Sequence, residues 1–153
     1  RHEFSDLEAG EHARLVTATG ELEGMAAAIS RDLAPLVAEF ETAKIVLSKE
    51  TAELLERLLQ AIEESARSAL HALVERDEQA AQAVLAKRGE IAGLTAEVQQ
   101  LQAARLAQDD PDRFTKHRLQ IELLDRLRRI YSVSEHMAIS VLPRSLLAGD
   151  LYS

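Results

Sequence analysis

Two groups of acidic and histidine residues, one near each end of the chain, have the side chains best suited to hold a metal ion. Glu8 and His12 are one helical turn apart with Glu11 beside them, and Glu135 directly precedes His136. Carboxylate and imidazole groups on facing helices can share a divalent cation. Acid–histidine neighbours also occur on solvated helix faces, and the Glu-x-x-His repeat of di-iron bundles is missing. These five residues are candidate metal ligands, and we expect no tightly bound transition metal.

No pattern typical of catalysis or cofactor binding accompanies these residues. The sequence lacks a Gly-rich phosphate loop, a dinucleotide-binding fingerprint and an HExxH segment. Its serines have no histidine and acid spaced to form a triad. The absence of cysteine excludes disulfide scaffolds, zinc ribbons and thiol chemistry. We therefore expect neither catalytic residues nor a cofactor.

The charge balance argues against a nucleic-acid partner. The chain has 18 Lys and Arg residues against 26 Asp and Glu residues, a net charge of −8, and such a surface repels phosphodiester backbones. Three arginines cluster at Arg126, Arg128 and Arg129, but Glu122 and Asp125 precede two of them by one helical turn, which predicts ion pairs on a solvated helix. No apolar run approaches the roughly 18 residues of a membrane span, so we expect no direct insertion into lipid.

The elements that must position these residues follow from composition and periodicity. Hydrophobic residues make up 46% of the chain and aromatic residues 3%, which disfavours a β-sandwich or barrel. Apolar residues recur at steps of three and four, with breaks near residues 44–47, 77 and 108–111. Short connections make neighbouring long helices antiparallel. The sequence predicts an all-α fold, an elongated antiparallel bundle of about four long helices.

The first helix carries a start signal and a kink signal. Ser5 and Glu8 fit a capping box, in which the serine caps a free N–H and the acid reaches back. Pro35 cannot donate a hydrogen bond to residue 31, which predicts a kink or restart near Asp32. The apolar face predicted for this helix consists of Leu15, Leu22, Met25, Ile29, Leu33, Leu36 and Phe40.

The boundaries of the other three helices are predicted by capping residues. Ser48 suits an N-cap, Asp77 a turn, and Asp110 with Pro111 the start of the fourth helix, which Pro143 ends. The third helix carries a heptad seam formed by Val84, Ile91, Leu94, Val98 and Leu101. The predicted inward positions of the second helix are Leu55, Leu58, Leu59, Ile62, Ala66, Leu70 and Leu73. Those of the fourth are Phe114, Ile121, Leu124, Leu127, Ile130, Ser134, Ala138 and Val141.

Four segments share motifs with a known helical domain: DLEAGEH at 6–12, VLSKE at 46–50, ALHALVERD at 69–77 and LLDRLRRIYS at 123–132. They resemble, in that order, the D-L-E-R-I-G-D-H, F-S-x-E, A-L-x-A-L-x-x-x-D and L-D-x-L-x-D-L-K-R-I-N-S-H segments of the PhoU-like domain of the sodium/phosphate cotransporter family. The resemblance implies three parts. Residues 1–47 would be the last helix of a preceding three-helix unit with its connection, 48–143 a complete PhoU-like unit, and 144–153 a tail. In metal-binding PhoU proteins, acids stand where this chain has Leu7, Arg128 and Ser132.

The same resemblance implies a function. The chain would be a regulatory or scaffolding domain on the cytoplasmic side of the plasma (bacterial inner) membrane, within a protein that moves sodium and phosphate together. Its partner would be the transmembrane part of that transporter, upstream of Arg1, and a partly uncovered first helix would also favour a homodimer. Two alternatives stay open: a free-standing PhoU-type phosphate-signalling regulator, and a helical interaction module unrelated to phosphate.

Overall fold

The computed structural model describes the backbone of residues 2–143 and the side chains of residues 5–143. Helices account for 88% of the described residues, and no strand occurs among them, which confirms the all-α prediction. The predicted tail, 144–153, lies outside the described residues. The helices are α1 (His2–Ala27), a π-helical segment (Ala28–Leu33), α2 (Ala34–Thr42), α3 (Lys49–Glu75), α4 (Glu78–Ala86), α5 (Arg88–Leu106) and α6 (Arg113–Val141).

Helix α1, the π-helical segment and α2 follow one another without a break and form the first long helix. The predicted kink takes the form of the π-helical segment Ala28–Leu33, which ends two residues before Pro35. At the end of this segment, the N–H of Ala34, the first residue of α2, donates to the carbonyl of Ile29, five residues back. The wider π-helical turn accommodates Pro35, which has no backbone N–H with which to continue the regular hydrogen-bond pattern. The predicted capping box at Ser5 is wrong, because α1 already begins at His2.

Local capping chemistry sets the boundaries of α3 and α4 where the sequence predicts them. The Ser48 hydroxyl accepts a hydrogen bond from the Thr51 N–H at 3.2 Å. Arg76 closes α3 in the left-handed conformation, with φ of 54°. The Asp77 carboxylate then accepts from the N–H groups of residues 79 and 80 and starts α4. This two-residue turn reverses the chain, so that α4 and α5 run back along α3.

The start of the last helix differs slightly from the prediction. Asp110 caps a turn by accepting a hydrogen bond from the Asp112 N–H at 2.9 Å. Pro111 lies in that turn, and regular helix begins only at Arg113. The helix begins late because the chain first forms a turn here. In this turn the Arg113 N–H donates to the Asp110 carbonyl, three residues back, instead of to a carbonyl four residues back.

The predicted third helix is interrupted once. Lys87 separates α4 from α5, and the Tyr131 hydroxyl of α6 donates a hydrogen bond of 2.9 Å to the carbonyl of Val84, which is fully buried. The Lys87 N–H also donates to this carbonyl. A side chain from a neighbouring helix therefore satisfies a backbone acceptor at the break, as a buried carbonyl requires.

The core lies between α3, α4, α5 and α6, and α1 and α2 pack along α6. The heptad seam is confirmed, since Val84, Ile91, Leu94 and Val98 are buried and Leu101 is partly buried. Some predicted inward positions are instead exposed: Leu15, Leu22, Ile29, Leu59, Leu70, Phe114 and Ile121. Each fits a stripe of three- and four-residue steps, but the described helices leave it exposed.

Leu58 and Leu59 offer a matched test of this core, because they are adjacent leucines on α3 with 1% and 43% of their surface exposed. We expect Leu58→Ala to lower the free energy of unfolding by about 2–5 kcal/mol, the cost of a core cavity. Leu59→Ala should lower it by no more than about 1 kcal/mol. Chemical denaturation measures both, and equal losses would mean that α3 is rotated relative to the structure.

Candidate functional site

Glu11, one of the predicted metal ligands, is engaged in ion pairs. Its carboxylate accepts from Arg14 at 2.8 Å on the same helix, and it also pairs with Arg76. Arg76 is the left-handed residue that ends α3. Hydrogen bonds from Arg14 and then Arg76 lower the pKa of Glu11 to about 2. Glu11 thus connects the amino-terminal half of α1 to the end of α3.

Glu135, the acidic candidate on α6, has a different partner. It pairs with Arg88 at the start of α5, with 3.0 Å between Arg88 Nε and the carboxylate. It also lies beside Tyr131, whose pKa is raised first by burial and then by the Glu135 charge. The two acidic candidates therefore bind two different arginines.

The structure does not bring the predicted metal ligands into one cluster. Glu8, His12 and His136 are exposed, while Glu11 and Glu135 are taken up by arginines. Across residues 5–143, no group of three or more His, Asp or Glu side chains is arranged to hold a metal ion. The positions proposed from the sequence thus form ion pairs and solvated faces rather than a shared site.

A groove separates the amino-terminal half of α1 from the end of the bundle. The groove has a volume of about 670 Å³. Leu7 and Ala18 line it on α1, Leu73 lines it on α3, and Val141 lines it on α6. Glu11 and Arg76 meet across it. On this half of α1, an ion pair replaces the apolar packing seen further along the helix at Met25, which is buried.

A second cavity lies at the opposite end of the bundle, where the connection between α2 and α3 meets the connection between α5 and α6. Its volume is about 80 Å³. We call it the end cavity. It is lined by Val46, Leu47, Gln102, Arg105, Leu106, Gln108, Asp110, Arg113, Lys116, His117 and Gln120.

The walls of the end cavity hold polar groups that are buried without partners. Gln102 is 4% exposed, and its Nε2 has no hydrogen-bond partner within the described residues. The Nδ1 of His117 is likewise buried and unpartnered there. Gln120 is also buried. Because nearly all buried polar groups in proteins are hydrogen-bonded, each such group calls for an explanation.

Among the described residues, Asp110 supplies the only carboxylate that lines the end cavity, and this carboxylate is already paired. Asp110 Oδ2 accepts from Lys116 Nζ at 2.7 Å, and Oδ1 accepts from the Asp112 N–H at 2.9 Å. These bonds, that of Lys116 first, lower the pKa of Asp110. Arg113 donates to the Asp110 carbonyl at 3.1 Å and stacks 4.7 Å from the centre of the Phe114 ring. The remaining lining side chains are cationic, amide or apolar, together with the imidazole of His117.

Sequence reasoning missed the end cavity. No sequence pattern marks His117 or His71 as a ligand, and His71 lies 3.2 Å from Asp77 at the surface. The available signal was Gln102, an amide that directly follows Leu101 at the end of the heptad seam. Its place in a cavity could not be predicted from the sequence, because the cavity is completed by α6 and the 43–48 connection, which are distant in sequence.

Comparison of the chain with protein families, with curated proteins and with solved structures finds no match in any of the three. Among the described residues, no helix is long and apolar enough to cross a membrane.

The Glu11 ion pairs predict a pH-dependent contribution to stability. Because the folded-state pKa of Glu11 lies at about 2, below the value of 4.5 for a free glutamate, its stabilising effect is present above pH 4.5 and is lost as the pH falls through about 2. We expect Glu11→Gln to lower the melting temperature at pH 7, with the difference from wild type disappearing towards pH 2.

Glu8→Gln is the matched control, since it removes the same charge from the same helix at a residue that makes no ion pair within the described residues. Thermal unfolding followed by circular dichroism from pH 7 to pH 2 gives both curves. An unchanged difference between Glu11→Gln and wild type across that range would contradict the assignment.

Proposed function

We propose that this chain is a regulatory or scaffolding module on the cytoplasmic side of a sodium-dependent phosphate transporter, and that it acts by docking through α1 rather than by catalysis. The observation that carries the proposal is the outer face of α1. This face is apolar at its centre and no described residue packs over it, while the three-helix unit behind it is closed by its own core.

The outer face of α1 is a shallow surface lined by His12, Leu15, Val16, Thr19, Gly20 and Glu23. Leu15 is 52% and Val16 is 59% exposed. Both belong to the half of α1 that the groove separates from the bundle. Exposed apolar residues grouped on one helix and bordered by polar ones are typical of docking surfaces.

Charge identifies the kind of partner that suits this face. Acidic residues border it at Glu8 and Glu23, and Asp6 and Glu21 lie on the same helix, with Arg14 engaged by Glu11. Two copies of α1 would bring these acids together, whereas a basic amphipathic segment would complement them. Cytoplasmic loops of membrane proteins carry an excess of Lys and Arg. We therefore assign a basic cytoplasmic segment of the transporter's transmembrane part as the occupant.

The PhoU-like resemblance supports the same proposal. The segment at 69–77 forms the last turns of α3 and ends at Asp77, the N-cap of α4. The segment at 123–132 lies in α6 and contributes Leu124, Leu127 and Ile130 to the core. The residues that carry the resemblance therefore include those that define the three-helix unit.

The proposal is tested by phosphate uptake in cells whose own gene carries Leu15→Glu with Val16→Glu. Both side chains are exposed, so we expect the altered protein to fold and accumulate normally. Two acidic charges at the centre of the face should release the docked segment. We expect the sodium-dependent rate of phosphate uptake to change by roughly fivefold or more, at the lower end of typical coupling energies.

The matched control is Leu70→Glu with Val74→Glu, which places the same charges at exposed apolar positions of α3 and should leave uptake unchanged. Equal uptake in wild type and the α1 variant, at equal protein levels, would contradict the transporter proposal. Sedimentation of the purified chain adds a second result: a dimer that the α1 variant dissociates would identify a second copy as the occupant.

A further inference from the structure

The end cavity is lined by two residues that each hold an unsatisfied polar nitrogen. These are Gln102 and His117, whose Nε2 and Nδ1 are buried without partners in the described part of the chain. An amide nitrogen can only donate, and the imidazole nitrogen donates in the tautomer that carries its proton. Leaving the hydrogen bonds of both nitrogens unmade costs free energy, and a bound acceptor would recover it.

The charge of the cavity has the sign that an anionic acceptor needs. Arg105, Arg113 and Lys116 line it against the single carboxylate of Asp110. That carboxylate is held by Lys116 and by a backbone N–H. Arg105 makes no ion pair within residues 5–143, and its side chain is only partly exposed. In a chain of net charge −8, this wall carries two positive charges in excess.

The size of the cavity restricts the ligand. Roughly 10–15 Å³ suffices for one water molecule, so about 80 Å³ holds one small polyatomic ion. Water alone would leave the charge of Arg105 uncompensated, whereas Arg113 already lies 3.9 Å from Asp109 at the surface. A tetrahedral oxyanion supplies several acceptor oxygens and two negative charges, which match the unpaired donors and the charge of the wall.

We propose that the end cavity binds a small tetrahedral oxyanion, of which inorganic phosphate is the one to test first. Gln102 and His117 donate to its oxygens from the buried side, and Arg105 and Arg113 compensate its charge. A cavity of about 80 Å³ favours the free ion over a phosphate ester, whose organic group would have to extend through the opening. The inference does not depend on docking through α1, which involves the opposite end of the bundle.

Isothermal titration calorimetry of the purified chain with sodium phosphate, in chloride buffer at constant ionic strength, tests the proposal. We expect saturable binding of one phosphate per chain, and sulfate should compete. Arg105→Gln and Gln102→Leu should each weaken phosphate binding about tenfold or more, because each removes a donor to a charged ligand. Phosphate should also shift the side-chain amide signals of Gln102 in the NMR spectrum of the unaltered protein.

The matched control is Arg67→Gln, which removes the same charge from an exposed arginine paired with Glu63 on α3. Phosphate affinity in this variant should remain within about twofold of wild type, because a distant exposed charge is screened. The proposal is overturned by any of three results: no saturable binding, unchanged Gln102 signals, or an equal loss of affinity in Arg67→Gln. Phenyl phosphate competing as well as phosphate would overturn the assignment to a free ion.

Discussion

The close contact of α3 with α6 is the packing constraint on which the rest of the bundle depends. Leu58 and Leu127 are each 1% exposed, and both helices also bury small residues. Ser65 and Ser134 are buried and donate to carbonyls four residues back in their own helices, so their hydroxyls need no partner across the interface. Small buried residues such as Ala69 let the helices approach closely. This pair supplies the platform for α4 and α5 on one side and α1 and α2 on the other.

The first long helix is attached to this platform by two kinds of contact. Met25 and Leu36 are buried and anchor it through apolar packing. Elsewhere exposed ion pairs bridge it to the bundle, from Glu11 to Arg76, from Asp32 to Arg129 and from Glu39 to Arg118. Exposed pairs contribute little, about 0–1 kcal/mol each. The amino-terminal half of α1 is therefore the part that a partner can most easily displace or cover, which is where the uncovered apolar residues lie.

Features decided by residues close together in the sequence were predicted correctly, whereas features decided by residues far apart were not. Ser48 and Asp77 were predicted correctly because a cap is decided by hydrogen bonds within three residues. The seam through Ile91 was predicted correctly because its period is strict and α5 is packed along its length. Leu59 and Phe114 were predicted incorrectly because periodicity gives an apolar stripe but not the direction of the neighbouring helix. The end cavity was missed for the same reason: Gln102 and His117 become a pair only when α5 and α6 meet.

The docking face and the end cavity lie at opposite ends of the bundle, yet one continuous stretch of chain reaches both. The distance between the docking face and the end cavity is of the order of the length of α3, which has 27 residues and is about 40 Å long. The first long helix runs this length and continues into the 43–48 connection, where Val46 and Leu47 form part of the cavity wall. Lys44 turns the chain there with φ of 51°, a conformation that costs a residue with a side chain roughly 1 kcal/mol or more. By linkage, a ligand in the cavity alters docking at α1 only to the extent that its affinity differs between two arrangements of this connection. Because the connection is short and strained and contacts the cavity directly, it is one element that can transmit such a difference, and α6, which lines both the cavity and the groove beside α1, is a second.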